Sequence, residues 1–281
     1  SWARFPVCDT DRTQVDRNSC PLLHWCFVQK LNRLLQSMDI IFPEAVCKHP
    51  LFSHSATSSI MFDTCSSSSS SLSVDSTEIT SKLVHTALLL NVANEAACRN
   101  LRTVYIRKEP VHEQCILHLH GTSQMDSTYW ENIHFINFPD ETSFIRWFSR
   151  AHLARRFADL IIVEDLRTLF SWNTVLSSDL LRLTSLMDET RQFVHSHTDA
   201  ATHGHGCRLL VTCGLPDKCE SHTLPIHNLS ETLLFTSEGS DNQFSLVSHT
   251  QRWRLDLSCC NQELFWTSFH PSCDRGTISI L

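Results

Sequence analysis

Glycine is scarce in this chain of 281 residues: there are six, and none falls within residues 61–90. A phosphate-binding loop uses glycines so that backbone N–H groups can converge on phosphate oxygens, and its usual form is not written there. No run of about 18 apolar residues occurs, which excludes the sequence pattern of a membrane-spanning helix. The opening "SWARFPVCDTDR" lacks the apolar centre of a secretory signal. Excess positive charge is also missing. At a formal net charge of −7 no general field draws the chain onto nucleic acid, so any DNA contact must be local or shared with a partner. Cysteine is plentiful at thirteen residues, yet no C-x-x-C pair exists, the count is odd and no spacing recurs. That excludes a zinc ribbon and argues for the reduced thiols of nucleus or cytosol over a disulfide framework. No internal repeat is visible, and the serine tract 66–71 is the single low-complexity segment.

What is present argues for a globular domain: seven Trp, sixteen Phe and 42% apolar residues. Residues 21–39 place Leu22, Leu23, Trp25, Val28, Leu31, Leu35 and Met38 at helical spacing, and a Pro-containing polar stretch leads on to about residue 58. An N-terminal extension, 1–56, and a domain, 57–281, are therefore expected. In the domain, strand-like and helix-like runs alternate. "SSIMF" reads as a strand and 78–98 as a helix covered on most sides. "RTVYI", "QCILHL" and "NIHFI" read as strands, 142–157 as a helix, "DLIIV" as a strand buried on both faces, 180–197 as a helix and "CRLLVT" as a strand. From about 231 onward only short strands remain, read as an antiparallel extension. The expected class is α/β with a mostly parallel central sheet.

The segment "ADLIIVEDL" (158–166) delivers a carboxylate to the carboxyl end of a buried parallel strand. P-loop NTPases place their Mg²⁺-holding acid in this way, which makes Glu164 the candidate, with Asp165 beside it. Any buried strand also ends where polarity returns, so the pattern becomes informative only in context. A strand, a loop and a buried helix precede it, and a helix and a strand ending at Thr212 follow it. That order fits a RecA-like NTPase core, in which Thr212 would stand near a γ-phosphate.

"NIHFINFPDETSFIRWFSRAH" (132–152) and the run "FADLIIVEDLRTLF" resemble the SWIM-domain-associated protein family of the metazoan Shu complex, which are divergent RecA-like recombinase paralogues. The shared residues are Ile133, Phe135, Pro139, Arg146, Ala151 and His152, then the apolar run to Glu164, and the ending "LFWTSFHPSCDRGTISIL" is also similar. The resemblance covers about 57–281, with 132–170 aligning without gaps. It implies a RecA-like core with ATP and Mg²⁺ as cofactors, and nuclear work in homologous recombination. It further implies a SWIM-type zinc-finger partner, a recombinase filament and single-stranded DNA as partners.

Carried over position by position, the resemblance places a phosphate cradle near 74–82, "VDSTEITSK". Lys82 is its only cation, both glycines are absent, and Asp75 and Glu78 would oppose phosphate, so ordinary ATP affinity is not expected. A misread exon over 64–78 is an alternative account of this stretch. DNA contacts would come from the loops after the acid-bearing strand (Arg167, Trp172) and after the next strand (Lys218, His222), where a cation and an aromatic could hold phosphate and stack a base. Arg252 and Arg254 share one strand face, and Arg146, Arg150, His152, Arg155 and Arg156 give the 142–157 helix a basic side; either set serves DNA or is merely solvated. Phe42 and Ala45 match the F-x-x-A signature by which RecA-like recombinases hook a neighbour. The histidines of "HSHTDAATHGHGC" sit in a loop without the frame zinc requires, so no metal is expected.

Overall fold

The computed structural model describes residues 58–63, 76–112, 115–154, 157–170, 177–197, 207–214, 231–237, 242–248, 253–271 and 278–279. The helix read over 21–39 lies outside these residues, as do the serine tract, Phe42, Ala45, Arg155, Arg156, Trp172, Lys218, His222 and Arg252.

Among the described residues, eleven strands form one sheet. β1 (Ser58–Asp63), β2 (Thr103–Arg107), β4 (Ile133–Asn137), β5 (Leu160–Val163), β6 (Arg208–Gly214) and β7 (Glu231–Ser237) run parallel in the order β7-β1-β6-β5-β2-β4. β8 (Gln243–Ser248), β9 (Trp253–Cys260), β10 (Glu263–Pro271) and β11 (Ile278–Ser279) continue it antiparallel beyond β7, and β3 (His118–Leu119) pairs with β10. The chain is thus α/β with a mostly parallel centre, as its alternation of apolar runs implies.

Alternation along the strands splits the core into two layers. Leu160 and Ile162 of β5, Tyr105 of β2 and Leu210 of β6 face α1 (Ser76–Cys98). Ile161, Val163, Ile106, Leu209 and Val211 face the opposite way, toward α3 (Glu141–Arg150) and α5 (Ser177–His197). The α1 layer also takes in Phe244, Leu246, Leu255, Leu257, Trp266 and Phe269 of the antiparallel extension. With sheet on so many sides, α1 buries nearly its whole circumference, which explains why its sequence has no polar stripe. The polar residues it buries are Ser81, His85, Thr86 and two asparagines. Asn91 Nδ2 donates to Ala87 O at 2.8 Å and Leu117 O at 2.7 Å, while its Oδ1 accepts from Leu119 N at 3.0 Å and the Thr122 hydroxyl at 3.2 Å. Asn94 donates to Ser123 O at 3.0 Å.

Three expectations are corrected. "QCILHL" yields only the two-residue β3, because the backbone of Leu117 and Leu119 bonds to the Asn91 side chain in place of a strand partner. β7 is parallel, not part of the antiparallel extension; it pairs with β1, and the 215–230 segment gives the crossover length that parallel pairing demands. The helix expected over 142–157 is shorter. Asp140 caps its start, accepting from Ser143 N at 2.7 Å, and after Arg150 the chain tightens into a 3₁₀ turn (Ala151–Leu153) and extends at Ala154. Tight antiparallel returns come later: β9 passes to β10 through Asn261 and Gln262, both left-handed at φ 52° and 65°, as a two-residue hairpin requires.

In this doubly wound arrangement the crossover from β1 runs over one face, through α1, and that from β5 to β6 runs over the other, through α5. Ligands of such sheets sit outside the carboxyl ends of strands where the crossovers diverge. Glu164 lies at that edge.

Candidate functional site

Glu164 follows β5 and is 3% exposed. The alternation that sends Ile162 toward α1 sends Glu164 there too. Its Oε1 accepts from the Thr86 hydroxyl of α1 at 2.5 Å, and its Oε2 from the Tyr105 hydroxyl of β2 at 2.8 Å. Arg107, the last residue of β2, brings Nη1 to 3.5 Å from Oε2, with its side chain 12% exposed. By distance this is an ion pair, but neither Nη1 nor Nε makes a hydrogen bond. A buried carboxylate is costly unless it is both paired and hydrogen-bonded, and here two hydroxyls and a guanidinium answer that cost. Burial first, then the Glu164 charge and the hydrogen bond to it, push the Tyr105 phenol well above its usual range, so Tyr105 stays a neutral donor. Cys115 lies in the same environment, its thiol raised chiefly by burial.

Asp165 does not join this cluster through the contacts of its backbone. Its φ is 49°, left-handed, and the turn is held by Asp165 N donating to the Thr212 hydroxyl at 2.9 Å. The Asp165 carbonyl accepts from Thr168 N and the Thr168 hydroxyl, each at 2.9 Å, at the start of α4 (Leu166–Leu169). Thr212 is fully buried, so its hydroxyl fixes the turn after β5. Arg167, on α4, is exposed, and its stem covers the end of β6: a Cβ at Gly214 would sit 3.5 Å from Arg167 Cδ. Lys82 is exposed on α1 one helical turn before Thr86.

Thr86, Tyr105 and Arg107 were not singled out in the sequence, although Thr86 had a signal. In the pattern G-x-x-x-x-G-K-[ST], the closing hydroxyl and the strand-borne acid together hold Mg²⁺. Setting Thr86 at the last position puts Ile79 and Val84 on the two glycine positions and His85 on the lysine position. The other residues do not fit the nucleotide and its metal. α1 is helical from Ser76, so from its second turn onward, residues 80–82 of the stretch expected to cradle phosphate, the N–H groups bond to the helix's own carbonyls, and no glycine precedes them to wrap a phosphate. His85 is buried and stacks on Phe235 at 5.5 Å, with Nε2 lacking a partner. Both Glu164 oxygens are already bound by side chains.

Arg254, its side chain 40% exposed, is paired along its own strand, donating from Nε to Asp256 Oδ1 at 2.6 Å. Ser268 and His270 close on the other carboxylate oxygen at 2.6 and 2.7 Å. Burial pushes the Asp256 carboxyl up, but these three hydrogen bonds and the Arg254 charge outweigh it and hold it below the usual range. This is not a hydrolytic triad: His270 Nε2 faces Asp256 and also lies 2.9 Å from Ser268 Oγ, whereas a relay needs opposite ring nitrogens. At the end of α5, His197 stacks on Phe193 at 4.1 Å, and no group of three or more metal-ligating side chains occurs among the described residues.

On the sheet face opposite Glu164, a groove of about 520 Å³ opens between α3 and the strands, lined by Val104, Phe138, Trp147, Phe157, Ile161 and Leu153. Arg146 and Arg150 stand at its exposed rim, and Leu153 is 69% exposed. Compared with models of known protein families and with curated proteins, the chain matches none. No described helix is long and apolar enough to cross a membrane.

Proposed function

We propose that this chain is a RecA-type accessory factor of homologous-recombination repair, working in the nucleus by contact: it joins a SWIM-type zinc-finger partner, a recombinase filament and single-stranded DNA. The observation that carries the reading is the pairing of Glu164 with Thr86. A strand-borne acid and a hydroxyl on the first buried helix are the two side-chain types that hold Mg²⁺ in P-loop NTPases, here meeting at 2.5 Å. The same pairing argues against ATP hydrolysis by this chain, because the carboxylate is closed by its own neighbours and the segment before it lacks the glycines of a phosphate loop. The groove beside α3 supports the protein-contact half of the reading, since apolar surface rimmed by arginine suits a protein partner. Arg167, exposed at the carboxyl edge, supports the DNA half.

A weak ATPase is the second reading, favoured by retention of the hydroxyl–acid pair and by Lys82 one turn away. The purified chain decides between them. Binding to a single-stranded oligonucleotide, followed by fluorescence anisotropy, is expected to ignore Mg-ATP and to weaken with Arg167→Ala, whose salt dependence should be shallower. A recombinase and a SWIM-type protein should both be retained on the immobilised chain. Retention of neither, together with no oligonucleotide binding, overturns the proposal; Mg-ATP turnover abolished by Glu164→Gln restores the second reading.

A further inference from the structure

The misfit between the cluster and a nucleotide-bound metal has a positive counterpart in Arg107. A carboxylate that is 3% exposed needs a positive charge beside it. In a P-loop enzyme the cation is Mg²⁺, held by acid and hydroxyl. Here acid and hydroxyl are present, and among the described residues the cation paired with Glu164 is Arg107, 3.5 Å from Oε2. The guanidinium is poorly placed as a hydrogen-bond donor, since Nη1 and Nε are both buried without a hydrogen bond. A residue selected for structural hydrogen bonding would be expected to use its planar fork; one that supplies charge need only be near. Tyr105, kept neutral by burial, adds a donor and no charge.

We propose that Arg107 is a built-in replacement for the divalent cation that Thr86 and Glu164 would otherwise hold, so that the core is complete without metal or nucleotide. This rests on reading Glu164 as the acid of a lapsed Mg²⁺ position. Removing the guanidinium should then uncover a cation site whose oxygen donors, Glu164 and Thr86, suit Mg²⁺ or Mn²⁺. No such site should open in the wild type, where the charge is already supplied.

Thermal unfolding of the full chain, in chelator or with added MnCl₂, tests this for wild type, Arg107→Ala, Glu164→Gln and the Arg107→Ala/Glu164→Gln double variant. Wild type should show the same Tm in both buffers. Arg107→Ala should lose about 10 °C in chelator, as expected for one orphaned member of a buried pair, and should recover much of that loss with Mn²⁺. The double variant, with no charge to neutralise, should melt above either single variant and ignore Mn²⁺. Electron paramagnetic resonance should find bound Mn²⁺ in Arg107→Ala alone. An Arg107→Ala variant that matches wild type in chelator, or that is destabilised yet insensitive to Mn²⁺, overturns the proposal. If Arg107→Ala does not fold, the double variant carries the test: its folding with a Tm above Glu164→Gln supports the coupling, and its failure to fold overturns it. Loss of this proposal leaves the recombination reading standing, because that reading is measured by partner retention and oligonucleotide binding.

Discussion

At the residue scale, the behaviour of Glu164 depends on neighbours far away in the chain: Thr86 and Tyr105 lie 78 and 59 residues from it. Tyr105→Phe removes one donor from a buried carboxylate while keeping the ring. Equilibrium denaturation should register a loss of about 2 kcal/mol, the scale of a hydrogen bond to a charged group. The pH dependence follows from the raised phenol. Its folded-state pKa lies above the unfolded value, so its contribution is fully present below the ordinary tyrosine pKa of about 10 and is lost as pH rises from there toward the folded value. Between pH 9 and 11, then, wild type should lose stability more steeply than Tyr105→Phe, measured as the slope of unfolding free energy against pH. Equal slopes would show that Tyr105 ionises normally and is not held against the Glu164 carboxylate.

At the element scale, α1 is a helix that its own sequence describes well and its surroundings explain. Burial on nearly all sides was legible in Ile79, Leu83, Val84, Leu88 and Leu90, which leave little polar surface. The role of Asn91 was not legible, because an asparagine in an apolar helix has no period. Only the structure shows it using both ends of its amide to hold the β3 segment. Asn91→Leu keeps the volume and removes these bonds, leaving buried backbone groups unmet. We expect a loss of about 2–4 kcal/mol, with faster hydrogen exchange at Leu119 N–H as the local readout. The parallel direction of β7 was equally hidden. Its run "TLLF" is compatible with either direction, and only pairing with β1 in the centre of the sheet settles it.

At the scale of the whole molecule, the two faces of the sheet divide the work proposed for it. The α1 face carries the closed cluster around Glu164; the opposite face carries the groove under Arg146 and Arg150. Leu153, 69% exposed at the groove, can be changed without disturbing the core. Leu153→Glu should abolish retention of the recombinase or the SWIM-type protein on the immobilised chain while moving Tm by less than about 2 °C. Unaltered retention of both would remove the groove from the contact surface. His197 of α5 and the paired Arg254 enter neither proposed function: His197 packs on Phe193, and Arg254 serves Asp256.

By itself the sequence determined the order of strands and helices, the buried character of α1 and β5, and the position of Glu164 at a strand end, because these depend on local periodicity and on where apolar runs stop. The tertiary structure alone decided what Glu164 does. Whether a strand-end carboxylate is open to a metal or closed by its neighbours depends on which hydroxyls and charges the parallel pairing of β2 with β5, and the packing of α1, bring to within 3.5 Å of it. Nothing in local periodicity pointed to Thr86, Tyr105 and Arg107, and these are the side chains that close the Glu164 carboxylate.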